Sequence, residues 1–212
     1  FAEEVYNHFL LAHLKPDFIT YQIFCEFFSL FGMDSDFCVV NFNEKKLQSI
    51  KVTSQLMNSI WSSFILGIVV AFPYLLWELW RFVSPGLTEK EVSKSRGFIF
   101  IASLLFFIGV SFSFYVIAPI SINFLYNYQI TDAIENSFTL ESHISLVTNM
   151  LLGVSVLFEL PVLIYFLTKI GLITPQFLRK YRKHSLVVVL ILAAIITPPD
   201  VASQIVVAIP IL

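Results

Sequence analysis

Long stretches without a formal charge constrain this chain more than any other feature. Residues 52 to 77, 97 to 131 and 184 to 199 contain no Asp, Glu, Lys or Arg, and between Glu141 and Lys169 the only such residue is Glu159. A membrane-spanning helix needs about 20 predominantly apolar residues. Helices of a soluble bundle keep a polar face at helical period, whereas these segments are apolar around most of their circumference. Composition agrees, with 57% hydrophobic and 13% charged residues against about 45 to 50% and about 25% in soluble domains. The chain reads as an all-α integral membrane protein forming a single domain over residues 1 to 212.

Hydropathy and breakers place membrane helices over residues 54 to 80, 97 to 125, 143 to 169, 185 to 197 and 201 to 212. At about 1.5 Å per residue the fourth reaches only about 20 Å before Pro198-Pro199, short of a hydrocarbon core of about 30 Å. The last run is still apolar at Leu212, so the final helix is expected to continue further. Loop 81 to 97 holds Arg81, Lys90, Lys94 and Arg96, and loop 170 to 184 holds Arg179, Lys180, Arg182 and Lys183. Loop 126 to 142 has Asp132, Glu135 and Glu141 and no basic residue. Positively charged loops stay cytoplasmic, so residues 1 to 53 are expected on the external face. Residues 1 to 14 carry Glu3 and Glu4 rather than a basic start, which does not suit a cleavable signal peptide.

The external region contains both cysteines, Cys25 and Cys38. On the exported side a disulfide between them is the functional reading, stabilising a loop of this size by about 3 kcal/mol in the chain-entropy model. Two buried thiols among Phe24, Phe27, Phe28 and Phe37 are the alternative. Neither cysteine has His or Cys at ligand spacing, and His8 and His13 lie too far off in sequence, so no metal site is expected.

Nothing in the chain suggests an enzyme or a cofactor. It lacks a Gly-rich phosphate loop, a His-Glu-x-x-His helix and a Gly-x-Ser-x-Gly elbow. His143 and Ser145 are two positions apart, so on a helix their side chains diverge by about 200° and make no dyad alone. His143 is expected to be a helix-start or interfacial residue.

Glu159 stands out instead. An ionised group deep in a bilayer costs at least about 2.5 kcal/mol, so intramembrane acids face a partner, a cavity or a transported species. Near the first basic loop, Trp77 and Trp80 suit an interfacial belt, and Glu78 lies at i,i+3 from Arg81, where a local ion pair forms. Further on, Thr88 is placed to cap a helix with Glu91 at the capping-box position. The sharper alternative is that Glu89 and Glu91, acids in a basic loop, offer carboxylates to an incoming guanidinium.

Together, several ordered motifs resemble the TatC family, the multispanning subunit of the twin-arginine protein translocase. They are Phe72-Pro73, Trp80-x-Phe82-x-x-Pro85-x-Leu87 followed by Glu91, Phe158-Glu159-Leu160-Pro161, Leu178-Arg179-Lys180-x-Arg182, and Thr197-Pro198-Pro199-Asp200-x-x-Ser203-Gln204. The long external loop with its cysteines resembles the form found in Bacteroidota-like bacteria.

The resemblance implies a six-helix concave bundle in a bacterial inner membrane, of which this chain covers the first external loop through part of the sixth helix. It implies a receptor for twin-arginine signal peptides of folded cargo, working with TatA- and TatB-like single-span subunits and other TatC copies. Export would be driven by the proton-motive force, with no nucleic acid involved. Glu91, with Glu89 beside it, then matches the signal-peptide contact. Glu159 matches a glutamate facing the concave side, and Thr197 and Gln204 a polar cluster associated with partner docking. Pro73, Pro85, Pro161, Pro198, Pro199 and Asp200 carry over as structural positions. The family's cytoplasmic N-terminus and first helix, with a second acidic contact, are expected upstream of Phe1, and Val92 stands where many relatives have Arg. The alternative from another class is a proton- or cation-coupled secondary transporter using Glu159. Such transporters show paired broken helices in an internal repeat, and none is visible in this sequence.

Overall fold

The computed structural model describes residues 10–14, 18–30, 47–86, 97–129, 131, 138–169, 171, 173–197 and 201–208. Apolar runs become long helices because lipid offers the backbone no hydrogen-bond partners, even with Pro73, Pro119 and Pro161 inside them. The helices are α1 (Ile19–Leu30), α2 (Ser54–Val83, prolonged by a 3₁₀ turn Ser84–Gly86), α3 (Phe98–Phe112), α4 (Ala118–Asn127), α5 (Leu140–Phe158), α6 (Leu160–Lys169), α7 (Pro175–Ile196) and α8 (Val201–Ala208). A π-helical turn, Ser113–Ile117, joins α3 to α4 in one continuous rod. Three of these rods, Ser54–Gly86, Phe98–Asn127 and Leu140–Lys169, are long and apolar enough to cross a membrane.

Helix ends follow local chemistry. Thr139 accepts the Ser142 N–H at 3.2 Å and caps α5, and Thr174 accepts the Phe177 N–H at 3.3 Å and caps α7, with Pro175 in its first turn. Gly171 has φ 79° just after α6, a left-handed conformation that ends the helix. The fourth segment therefore differs from expectation. α7 starts at Pro175 rather than residue 185 and has 22 residues, about 33 Å at helical rise. Only its Lys183–Ile196 portion is apolar. Hydropathy discounted the basic first turns, yet Gln, Arg and Lys are good helix formers.

α5 is the central element, packed against α2, α3, α7 and both halves of the rod that follows α3. Small residues allow this. A Cβ on Gly109 would lie 2.9 Å from the Ser155 Cα, and one on Gly153 would lie 2.1 Å from Ile196 Cγ2. The α3–α5 and α5–α7 contacts are thus close at a glycine each. α2 turns Ser54, Asn58, Ser62, Ile65 and Val69, spaced three or four apart, into the bundle. The core joins Phe114, Ile117 and Ile122 to Val147, Met150, Val154, Ala193 and Val207.

Where the chain enters α2 and α5, an isolated parallel bridge pairs Gln48 with Thr139. The Gln48 N–H donates to Phe138 O at 2.9 Å and the Leu140 N–H to Gln48 O at 3.0 Å. Lys51 and Glu141 add an exposed ion pair at 3.0 Å.

Candidate functional site

Pro161 sets the geometry around Glu159. Without an N–H it cannot donate to Leu157 O, and α5 stops at Phe158. Glu159 forms the turn, its N–H reaching Val156 O at 3.1 Å, and α6 resumes with Leu163 N–H on Glu159 O at 2.9 Å. The break leaves the acid on the wall of a groove of about 350 Å³, bounded by Phe72, Leu76 and Trp80 of α2, Phe98 of α3, and Val156, Leu163 and Phe166. Aromatic contacts fix these walls: Phe72 stacks on Phe106 with ring centroids 3.5 Å apart, and Trp80 meets Phe166 edge-on at 5.7 Å.

Glu159 is half-buried, and its Oε1 is shut off from solvent without a hydrogen-bond partner among the described residues. Leaving such an atom unpaired costs about 1 to 3 kcal/mol. No Lys, Arg or His of the described residues pairs with it, and the ion pairs seen elsewhere are Lys51–Glu141 and Glu78–Arg81. The latter is long, 4.0 Å, and exposed, so it contributes little. Trp77 is exposed at 57%, and Trp80, half-buried in the groove wall, packs against Phe98 and Phe166.

Around the π turn the stranded backbone carbonyls are paired, although His13 Nδ1, Ser113 Oγ and Ser121 Oγ are buried without a partner among the described residues. Pro119 has no N–H for Tyr115 O, and the Ala118 N–H is already used by Ser113 O in the π turn. Phe114 O and Tyr115 O are therefore short of backbone donors, and the N-terminal segment supplies them. His13 Nε2–H donates to Phe114 O at 2.8 Å, Thr20 Oγ1 donates to Tyr115 O, and Tyr21 O–H donates to His13 O at 3.1 Å. His143 contacts Leu10 O through Nε2 at 3.1 Å and Tyr126 Oη through Nδ1 at 3.2 Å. At 3% exposure it is an interior ligand of the backbone, correcting the interfacial reading; Thr139 starts the helix before it. Burial holds the His13 imidazole down at about 4, against the pull of its bond to Phe114 O and aided by nearby His143. Burial likewise pushes the Tyr21 phenol up. Sequence reading missed this cap. Its one signal was Pro119 inside an apolar helix, which announces unsatisfied carbonyls upstream.

Thr197 is buried and donates Oγ1–H to Ala193 O at 2.9 Å, and Gln204 Nε2 donates to Leu190 O at 2.9 Å, tying α8 to α7. Neither lines the Glu159 groove. Pro73 lies inside α2 and Pro85 in the 3₁₀ turn after it. Glu89, Glu91, Pro198, Pro199 and Asp200 lie outside the described residues. Cys25 is disulfide-bonded; Cys38, the chain's only other cysteine, is also outside them. Among the described residues no three His, Cys, Asp or Glu side chains gather as a metal site.

A multispanning α-helical membrane protein, with a lone acid at a helix break facing an apolar groove, is the class that fold and site define. The family model for the Sec-independent protein translocase protein TatC matches residues 1–210, and the chain belongs to that family. It is 37% identical over 208 residues to the TatC protein of Blattabacterium sp. subsp. Periplaneta americana, covering 98% of this chain and 78% of that protein. Against TatC of Helicobacter pylori it is 45% identical over 148 residues, 70% of this chain and 58% of that one. A crystal structure of the twin-arginine translocase receptor TatC in DDM superposes with a TM-score of 0.68 at 27% identity, covering 100% of this chain and 94% of that chain. The family resemblance drawn from the motifs is correct, the fold is an all-α membrane bundle, and the family is one of translocase components rather than enzymes.

Proposed function

We propose that this protein is the receptor subunit of a twin-arginine translocase, exporting folded proteins across a bacterial inner membrane with the proton-motive force. In this reading residues 1 to 53 face the exterior and Glu91, with Glu89, receives the arginine pair of a signal peptide. The Glu159 groove then takes a helix of a TatA- or TatB-like single-span subunit, other TatC copies complete the assembly, and Thr197 and Gln204 supply a polar cluster for partner docking at the α7–α8 hairpin. The observation that carries the proposal is Glu159 itself, whose Oε1 is buried and unpartnered on a groove wall that is otherwise apolar. A helix seated there would cover the surrounding aromatics and bring a polar side chain to the accessible side of the half-buried carboxylate. One hydrogen bond between membrane helices contributes only about 1 kcal/mol, enough to select a partner without locking it. Membership of a translocase family favours this over a solute transporter using the same acid.

The test uses the full-length protein with its single-span partners. Glu159→Ala is expected to reduce partner co-purification severalfold while leaving crosslinking of a twin-arginine signal peptide near the wild-type level. Glu91→Gln is expected to do the reverse. Full partner retention in the first variant, or undiminished crosslinking in the second, would sink the corresponding half.

A further inference from the structure

On the far side of the Phe98–Phe166 pair lies a second groove, of about 370 Å³, between the first turn of α3 and the length of α6. Its lining is apolar, from Phe98, Ile101, Pro161, Tyr165 and Phe166, until its end, where Lys169 stands. Ile101 and Tyr165 are exposed, so in a membrane this groove opens to lipid. Lys169 closes the membrane-length segment Leu140–Lys169 and therefore sits at a membrane–water boundary whichever way the protein is oriented. Its Nζ lies 5.5 Å from the centre of the Tyr165 ring, close enough for a cation–π contact that holds the ammonium over the groove rather than letting it swing free. No carboxylate of the described residues pairs with it.

We infer that this groove binds an anionic phospholipid, with an acyl chain along Phe98, Ile101 and Pro161 and the headgroup phosphate on the Lys169 ammonium. The layout favours a lipid: exposed apolar walls lead to a single cation at the boundary, the order in which a phospholipid presents its acyl chain and phosphate. The charge favours an anionic headgroup over a zwitterionic one, because one fixed cation at the boundary has no matching acid beside it. Lys169 also suits the C-terminal end of α6, so loss of stability on its replacement would not discriminate between the roles. Lipid selectivity does.

Full-length protein in mild detergent is mixed with equal amounts of dioleoyl phosphatidylglycerol and dioleoyl phosphatidylethanolamine, and bound lipid is counted by native mass spectrometry. Phosphatidylglycerol is expected to be retained preferentially, with Lys169→Gln lowering that preference about fivefold and Lys169→Arg preserving it. Ile101→Trp, which fills this groove but does not touch the Glu159 groove, is expected to lower retention of both lipids, whereas Phe64→Trp on the exposed face of α2 leaves both unchanged. Equal retention of the two lipids by the wild type, an unaltered preference in Lys169→Gln, or displacement of the lipid by excess inorganic phosphate would overturn the assignment. So would photocrosslinking from position 101 to a single-span helix in place of lipid. Partner co-purification is read separately at Glu159, so failure here and failure of the receptor reading are distinguishable.

Discussion

The two proline breaks differ in what the chain brings to them. At the cap, the carbonyls that Pro119 strands are met by His13 and Thr20, and His143 holds both Leu10 O and Tyr126 Oη. At the groove, Pro161 creates a comparable break, but the acid it exposes keeps an oxygen without a partner. Both ends interrupt an apolar helix with proline. Only one repairs the interruption within the described chain. The cap also buries unpartnered atoms, His13 Nδ1 and Ser113 Oγ among them, so what distinguishes the groove is that its unpaired atom belongs to an acid on an open, aromatic-walled surface.

This contrast is open to direct attack. The largest effect is expected between the two ends, where Gly153→Val would drive a side chain into Ile196 and cost more than about 3 kcal/mol. Thermal unfolding of the detergent-solubilised protein should show it, with partial recovery in Gly153→Val/Ile196→Ala. Little change would mean that α5 and α7 are not locked together.

Acid should loosen the cap next. His13 has its imidazole held at about 4 against an ordinary 6.5, so the unfolded chain takes up the proton first. The stability this residue contributes is complete above about 6.5 and is lost as pH falls through about 4, on the order of 3 kcal/mol in all. Proteolysis of the N-terminal segment across that window should accelerate in the wild type and not in His13→Gln. A flat wild-type profile would break the claim that this end depends on a neutral, buried imidazole.

His143→Phe is expected to cost about 2 kcal/mol by stranding Leu10 O and the Tyr126 hydroxyl, again read by thermal unfolding. Glu159→Leu is expected to shift stability by less than about 1 kcal/mol, or to raise it, because it removes an unpaired polar atom from apolar surroundings. If that substitution destabilised as much as His143→Phe, the distinction between the two ends would collapse.

Much of this was legible from residues alone, for physical reasons. Charge-free runs reveal spans because lipid tolerates few alternatives, and Phe158-Glu159-Leu160-Pro161 announced the acid, whereas the span read as one helix over residues 143 to 169 is interrupted at Glu159. The start of α7 was not legible from hydropathy, although Thr174-Pro175 is a recognisable helix start. The cap was hidden because its bonds join residues far apart in sequence: His13 to Phe114 and His143 to Leu10 are separated by 101 and 133 positions. Side-chain patterning reports faces of helices and says nothing about which distant carbonyl lacks a donor.

The π turn also imposes an order of events. The segment that carries His13 is made well before the carbonyl it serves, which arrives 101 residues later. At about 5 to 20 residues per second, roughly 5 to 20 s of synthesis separate the two. Throughout that interval His13 and Thr20 lack the carbonyls they hold in the folded protein. The cap is therefore a late closure, completed only when the rod containing Pro119 is in place, and a nascent protein halted before that point would carry His13 and Phe18 without the Phe114 and Tyr115 rings that later meet them.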